Sequence, residues 1–222
     1  MESAPPACPV AAVPANATAA PPSVFGGPQC IGEKLAPFNP THVEAVETAL
    51  DLLQLTQWDK VYDLGCGDAR FLIQAHHRCA GVRGLGVEYD AAVFARARAN
   101  IDSLGQPHNI ALVHGNALDI DFSDATALFV YLVPEGLPSQ LVRSSPTLAH
   151  SLPPNHYHYH YHFSGRLSAH VPQAGMKKLA ERLRAAVERG ARVVTYVFSV
   201  PGLRPSETVL FKGATKIYLY KV

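Results

Sequence analysis

The stretch Val61-Tyr62-Asp63-Leu64-Gly65-Cys66-Gly67-Asp68 limits the available folds more than any other part of this chain. A short apolar run ends in an acid and passes through Gly-x-Gly. It then meets a segment whose Phe71, Leu72 and Ala75 have helical spacing. That order predicts a buried strand, a tight turn and a helix. In open α/β sheets such a turn stands at the carboxyl edge of the strands, where ligands bind. Glycine there lets the backbone approach a ligand that any β-carbon would hold off.

The rest of the chain repeats the alternation. Ahead of the turn, Pro40-Thr41 opens a predicted helix with Val43, Val46, Leu50 and Leu53 on one face. After it, Gly84–Glu88 reads as a second strand and residues 91 to about 104 as a helix. Ile110–His114 and Ala127–Leu132 read as the third and fourth strands. A helix from Met176 to Arg189 stops at Gly190, where a C-terminal glycine belongs. Arg192–Val200 is a fifth strand, and 209–211 with 216–220 form a closing pair. Strand and helix alternating in this way predict an α/β, doubly wound, mostly parallel sheet.

Two ligand classes suit the glycine turn, and charge separates them. A dinucleotide asks for Gly-x-Gly-x-x-Gly with its pyrophosphate on the helix N-terminus. Here Arg70 holds the third glycine position, and Asp63 and Asp68 flank the turn. Those acids repel a pyrophosphate and suit a cofactor with an amino group and a sulfonium. S-adenosylmethionine is favoured over NAD for that reason. Glu88 ends the next strand roughly twenty residues on, where an acid accepts hydrogen bonds from ribose hydroxyls. Cys66 has no base nearby in sequence to make it a nucleophile.

Asp63-Leu64-Gly65-Cys66-Gly67-Asp68 resembles the first motif of class I S-adenosylmethionine-dependent methyltransferases. The likeness continues through Glu88, Gly115-Asn116-Ala117 and Tyr131-Leu132-Val133-Pro134-Glu135-Gly136. With Pro37-Phe38-Asn39-Pro40-Thr41 and Arg70, the pattern is similar to a small family of protein-lysine methyltransferases. That family includes archaeal members and the mitochondrial enzymes acting on the ATP synthase c-subunit and the adenine nucleotide translocase. The resemblance implies a seven-stranded Rossmann-like sheet with an antiparallel last strand. It implies a cofactor site made of Phe38, Thr41, Asp63, Gly65, Cys66, Gly67, Asp68, Arg70, Glu88, Asn116 and Ala117. For Phe38, a hydrophobic staple ahead of the first helix is the competing use. Tyr131 and Glu135, after the fourth strand, fall on the substrate side as candidate catalytic residues, Glu135 to orient an incoming ammonium. Ala69 departs from the family's third glycine, and Asn116 from the acid many class I enzymes place near the adenine amino group.

The acceptor is expected to be a lysine amine on a protein partner. Base-methylating enzymes commonly carry Asp/Asn-Pro-Pro-aromatic after the fourth strand, whereas this chain has Leu132-Val133-Pro134-Glu135 beyond Tyr131. Lys plus Arg number 19 against 18 Asp plus Glu, so no general field draws in nucleic acid. A small-molecule methyltransferase and a non-catalytic cofactor-binding partner protein are the competing readings.

Residues 1–35 are Ala/Pro-rich and nearly uncharged and read as a disordered lead-in to a domain over 36–222. Residues 138–174 interrupt the alternation with Pro153-Pro154 and alternating histidines from His156 to His162, and read as an insertion without a metal site. Four cysteines without C-x-x-C spacing read as reduced thiols. With no bilayer-length apolar run or secretory pattern, a cytoplasmic location is expected, with organelle import left open.

Overall fold

The structure, a computed structural model, describes residues 34–36, 38–105, 107–133, 143–144, 161–162, 174–212 and 215–222. All of these belong to one unit spanning Gly32–Val222. Seven strands form its sheet: β1 (Lys60–Leu64), β2 (Arg83–Glu88), β3 (Ile110–His114), β4 (Ala127–Val130), β5 (Arg192–Tyr196), β6 (Glu207–Phe211) and β7 (Thr215–Tyr220). Their order across the sheet is β3-β2-β1-β4-β5-β7-β6. The first five are mutually parallel, and β7 runs antiparallel to both β5 and β6. A separate two-residue antiparallel pair joins Arg143–Ser144 to Tyr161–His162.

Among the described residues four helices cover this sheet: α1 (Val43–Leu53), α2 (Arg70–Arg78), α3 (Ala91–Asp102) and α4 (Ala174–Glu188). Alternate residues of the central strands enter different cores. Val61, Ala127, Phe129 and Val194 pack with α1 and α2, while Tyr62, Leu64, Leu128, Val130 and Val193 pack with α4. Central strands are therefore apolar on both sides, as in a sheet covered on both faces. Asp59, just below β1, ties the lower edge together. It accepts hydrogen bonds from the Thr56 N–H (2.7 Å), from the Thr126 hydroxyl (2.6 Å) and from Arg192. Burial would raise this carboxyl, but those donors outweigh it and hold it below the usual carboxylate range.

Several expected boundaries move. α1 begins at Val43 with His42 as its cap, and Val43 is exposed; the buried stripe is Ala45, Val46, Ala49, Leu50 and Leu53. β4 ends at Val130, because residues 131–132 leave the sheet to line a cleft above its carboxyl edge. β5 ends at Tyr196 rather than Val200, because Val197 takes a left-handed φ of 69° and the Phe198 N–H turns back to the Tyr196 carbonyl. Between β3 and β4 the strand–helix alternation fails, since residues 115–126 form turns. Arg182 of α4 holds that link by donating to the Leu118 and Ile120 carbonyls. Gly190 closes α4 with φ 94°, as expected. The lead-in lies outside the described residues except for Lys34 and Leu35, and the insertion except for the two-residue pair and Ala174.

One glycine of β2 leaves no room for a side chain. A β-carbon on Gly86 would stand 2.8 Å from each of Cys66 Sγ, Leu72 Cδ1 and Leu112 Cδ2. Gly86→Ala is expected to destabilise the protein by about 1–3 kcal/mol through overpacking. Chemical denaturation should show a lowered midpoint at unchanged slope.

Candidate active site

The turn after β1 is built by backbone geometry. Gly65 and Gly67 have φ of 88° and 57°, and the N–H groups of Gly65 and Cys66 both donate to the Val87 carbonyl at 2.9 Å. Ala69 follows at φ 66°, a left-handed value that an alanine adopts at a cost of about 1–2 kcal/mol. That conformation gives the physical reason for glycine at this position in the resembling family. Ala69 is fully buried against Ala97 and Ile101, where its methyl offsets part of the cost. α2 has no side-chain cap, so capping is not the work of Asp63.

Three acids converge on the turn. Asp68 is paired with Arg70, whose Nε and Nη2 donate to its carboxylate at 2.9 and 2.6 Å. Glu88 accepts the Gly67 N–H at 2.9 Å and the Asp90 N–H at 2.8 Å, bracing the turn from β2. A carboxylate has about four lone-pair sites, so Glu88 keeps acceptor capacity for a ligand. Burial raises its carboxyl, and those N–H donors pull it back in part. Asp63 differs from both. It is 2% exposed and has no hydrogen-bond partner among the described residues. Burial first, then the charges of Glu88 and Asp68, push its carboxyl well above the usual range.

A segment ahead of α1 roofs this turn. Phe38 packs onto Gly67, so closely that a β-carbon there would meet its ring at 2.8 Å, and the Arg96 guanidinium lies 5.3 Å from the ring centroid. Asn39 Nδ2 donates to the Tyr131 hydroxyl at 2.7 Å. The Thr41 carbonyl accepts from Arg70 Nη1 at 2.7 Å, and Lys34 pairs with Asp90 at 3.5 Å. Phe38 therefore lines the site and is not the staple of α1, standing too far ahead of the His42 cap for that use.

Between turn and roof lies an open cleft, lined by both. Phe38, Thr41, Asp63, Gly65, Cys66, Gly67, Asp68, Arg70, Glu88, Asn116, Ala117 and Tyr131 all line it. Glu135 lies outside the described residues. Asn39, Tyr89 and Leu132 also line the cleft, although the sequence pattern does not mark them as site residues. Asn39 stands inside the Phe38-to-Thr41 pattern, and Tyr89 directly follows Glu88. Burial drives the Cys66 thiol well above its ordinary range, the opposite of what a nucleophile needs. Burial and the neighbouring Tyr196 phenol likewise raise Tyr131, against the smaller pull of Asn39. Asn116 Oδ1 accepts the Leu118 N–H at 3.0 Å, which fixes the amide at the cleft edge.

These residues fit S-adenosylmethionine. The Asp63 carboxyl lines the cleft without a hydrogen-bond partner among the described residues, which suits a cationic group. Glu88 on β2 and Asn116 after β3 stand on the other side of the turn.

Similarities to known proteins agree. The family model of the ANTKMT methyltransferase domain matches residues 63–157. A protein-lysine N-methyltransferase of Saccharolobus islandicus (strain REY15A) is 26% identical over 189 residues, covering 84% of this chain and 93% of that protein. An RNA methyltransferase from Salinibacter ruber, solved with S-adenosyl-L-homocysteine, is similar with TM-score 0.59 and 25% identity, over 82% of this chain and 92% of its own. A precorrin-6y C5,15-methyltransferase from Geobacter metallireducens GS-15, at 17% identity and TM-score 0.52, over 86% and 92% of the two chains, shares the fold. The chain is a class I S-adenosylmethionine-dependent methyltransferase. Within that class it stands close to the protein-lysine methyltransferases.

Asp63 and Glu88 should respond differently to substitution. A raised carboxyl pKa means the folded apoprotein keeps a proton that the unfolded chain releases. Stability therefore falls as pH rises from the unfolded carboxylate range through the folded value. Asp63→Asn removes this cost and is expected to raise apoprotein stability at pH 7 by about 1–3 kcal/mol. It should weaken S-adenosylmethionine binding tenfold or more. Glu88→Ala should also lose at least tenfold, about 1.4 kcal/mol, without the gain in stability. Thermal denaturation and calorimetric titration read the two effects separately.

Proposed function

We propose that this chain methylates a lysine amine of a protein by direct in-line transfer from S-adenosylmethionine. The observation that carries the reading is the likeness to the archaeal protein-lysine N-methyltransferase, which runs over most of both chains. Bound S-adenosylmethionine supplies an electrophilic methyl group on a sulfonium. The chain supplies position and charge. Sheet order puts Glu88 and Asn116 on one side of β1, and Tyr131 on the other, after β4. With the adenosyl end held by the first two and the ammonium by Asp63, Tyr131 stands on the side from which an acceptor approaches.

Burial raises the Tyr131 phenol, which suits it to bind and orient rather than to take a proton. The amine loses its proton to water before attack, and Glu135 guides the incoming ammonium. Among the described residues no helix is long and apolar enough to cross a membrane.

The RNA methyltransferase likeness makes RNA the second reading of the acceptor. Against it stand the flat charge balance and the Tyr131-Leu132-Val133-Pro134-Glu135 sequence where base-methylating enzymes commonly carry their Pro-Pro-aromatic motif. The test is incubation with radiolabelled S-adenosylmethionine and a whole-cell extract, with separate recovery of protein, nucleic acid and small molecules. Mass spectrometry of the labelled protein should find methyl-lysine. Label confined to RNA or to a metabolite would overturn the lysine assignment.

A further inference from the structure

Asn39 lines the cleft and comes from the segment ahead of α1, ninety-two positions from Tyr131. Its amide is held in one orientation by two constraints. Nδ2 donates to the Tyr131 hydroxyl at 2.7 Å, and Pro40 restricts the Asn39 backbone to extended conformations. Nearby Thr41 is fixed as well, through its carbonyl on Arg70. Oδ1 of this held amide has no partner among the described residues. Asn39 thus brings an acceptor, and Tyr131 a phenolic O–H, to the side of the cleft away from Glu88 and Asn116. Beneath them Tyr196 packs on Tyr131, ring centroids 4.8 Å apart, and keeps the phenol in place.

An amine about to be methylated needs its lone pair aimed at the methyl carbon, so its N–H groups must be held from the other side. An amide oxygen does this, while the flanking Tyr131 ring carries the apolar stem of the acceptor. Resting on the methyltransferase reading, and deepening its acceptor side, we propose that Asn39 positions the acceptor amine, with Oδ1 taking an N–H of the attacking nitrogen and Tyr131 holding the amide in register. The neutral amine forms its new N–C bond as the S–C bond breaks. The electron pair stays on sulfur as a neutral thioether, and the charge passes to the methylated ammonium, which releases its proton to water. Asn39 selects a nitrogen bearing hydrogens, and so disfavours acceptors that carry none.

The test uses n-butylamine as a probe for the lysine side chain, so that it does not depend on finding the natural acceptor. Binding of n-butylamine to the full-length protein saturated with S-adenosyl-L-homocysteine is followed by NMR. Methyl transfer from labelled S-adenosylmethionine to extract protein is measured alongside. Asn39→Ala should weaken n-butylamine binding at least tenfold and lower methyl transfer at least thirtyfold, with S-adenosyl-L-homocysteine affinity held within threefold. Asn39→Asp, which keeps an oxygen at that place, should retain most of the amine binding. Tyr131→Phe, which frees the amide, should fall between wild type and Asn39→Ala. If n-butylamine does not bind the wild-type complex, or binds the Asn39→Ala complex equally well, the proposal is wrong. Loss of cofactor affinity in parallel with amine binding would overturn it too, by making Asn39 only an anchor of the roof. If n-butylamine binding depends on Asn39 while labelled extract contains no methyl-lysine, the amine site stands and the protein-lysine function fails.

Discussion

The carboxyl on the floor of the cleft organises this protein. Asp63 sits at the carboxyl end of the central parallel strand, nearly inaccessible, with two further acids close by and no donor of its own among the described residues. In the folded chain such a carboxyl keeps its proton, because ionising it would leave a charge without hydration beside two further acids. We read the arrangement as suited to a cationic ligand in the cleft. The surrounding features answer to the same need. Asp68 is neutralised internally by Arg70, and Glu88 commits part of its capacity to backbone N–H groups. Only Asp63 is left without a hydrogen-bond donor among the described residues.

Close packing holds that charge where it is. Gly86 lets Cys66, Leu72 and Leu112 meet across β2, which seats the turn against the sheet. Gly67 lets Phe38 rest directly on the backbone. Arg70 links these layers, joining Asp68 of the turn to the Thr41 carbonyl of the roof. The residue that breaks the dinucleotide pattern in sequence thus ties the two walls of the cleft together, which no glycine could do.

The architecture was legible in the sequence because the central strands β1, β4 and β5 are covered on both sides and read as mostly apolar runs. Asp63-to-Asp68 and Glu88 were legible because their chemistry follows from spacing within one strand–turn–helix unit. The ends of elements were less so. Nothing in Arg192–Val200 announces that Val197 turns left-handed, and Val43 fits a helical stripe on paper while facing solvent. The pairing of Asn39 with Tyr131 was hidden for another reason. It depends on how the chain ahead of α1 crosses the finished sheet, and no local pattern encodes a contact between a pre-helix loop and the far end of β4. The Ala69 φ was hidden too, since alanine gives no hint of the left-handed region that glycine would have signalled.

The roof also sets where this domain can be cut. Every described strand and helix lies downstream of His42, so a fragment starting at α1 would contain all of the described secondary structure. It would lack Phe38, Asn39 and the Thr41 carbonyl, and with them the whole outer wall of the cleft. Folding competence and ligand competence therefore have different minimal lengths in this chain. A unit that keeps the described walls of the cleft has to begin several residues before the first described helix, at Lys34 or earlier.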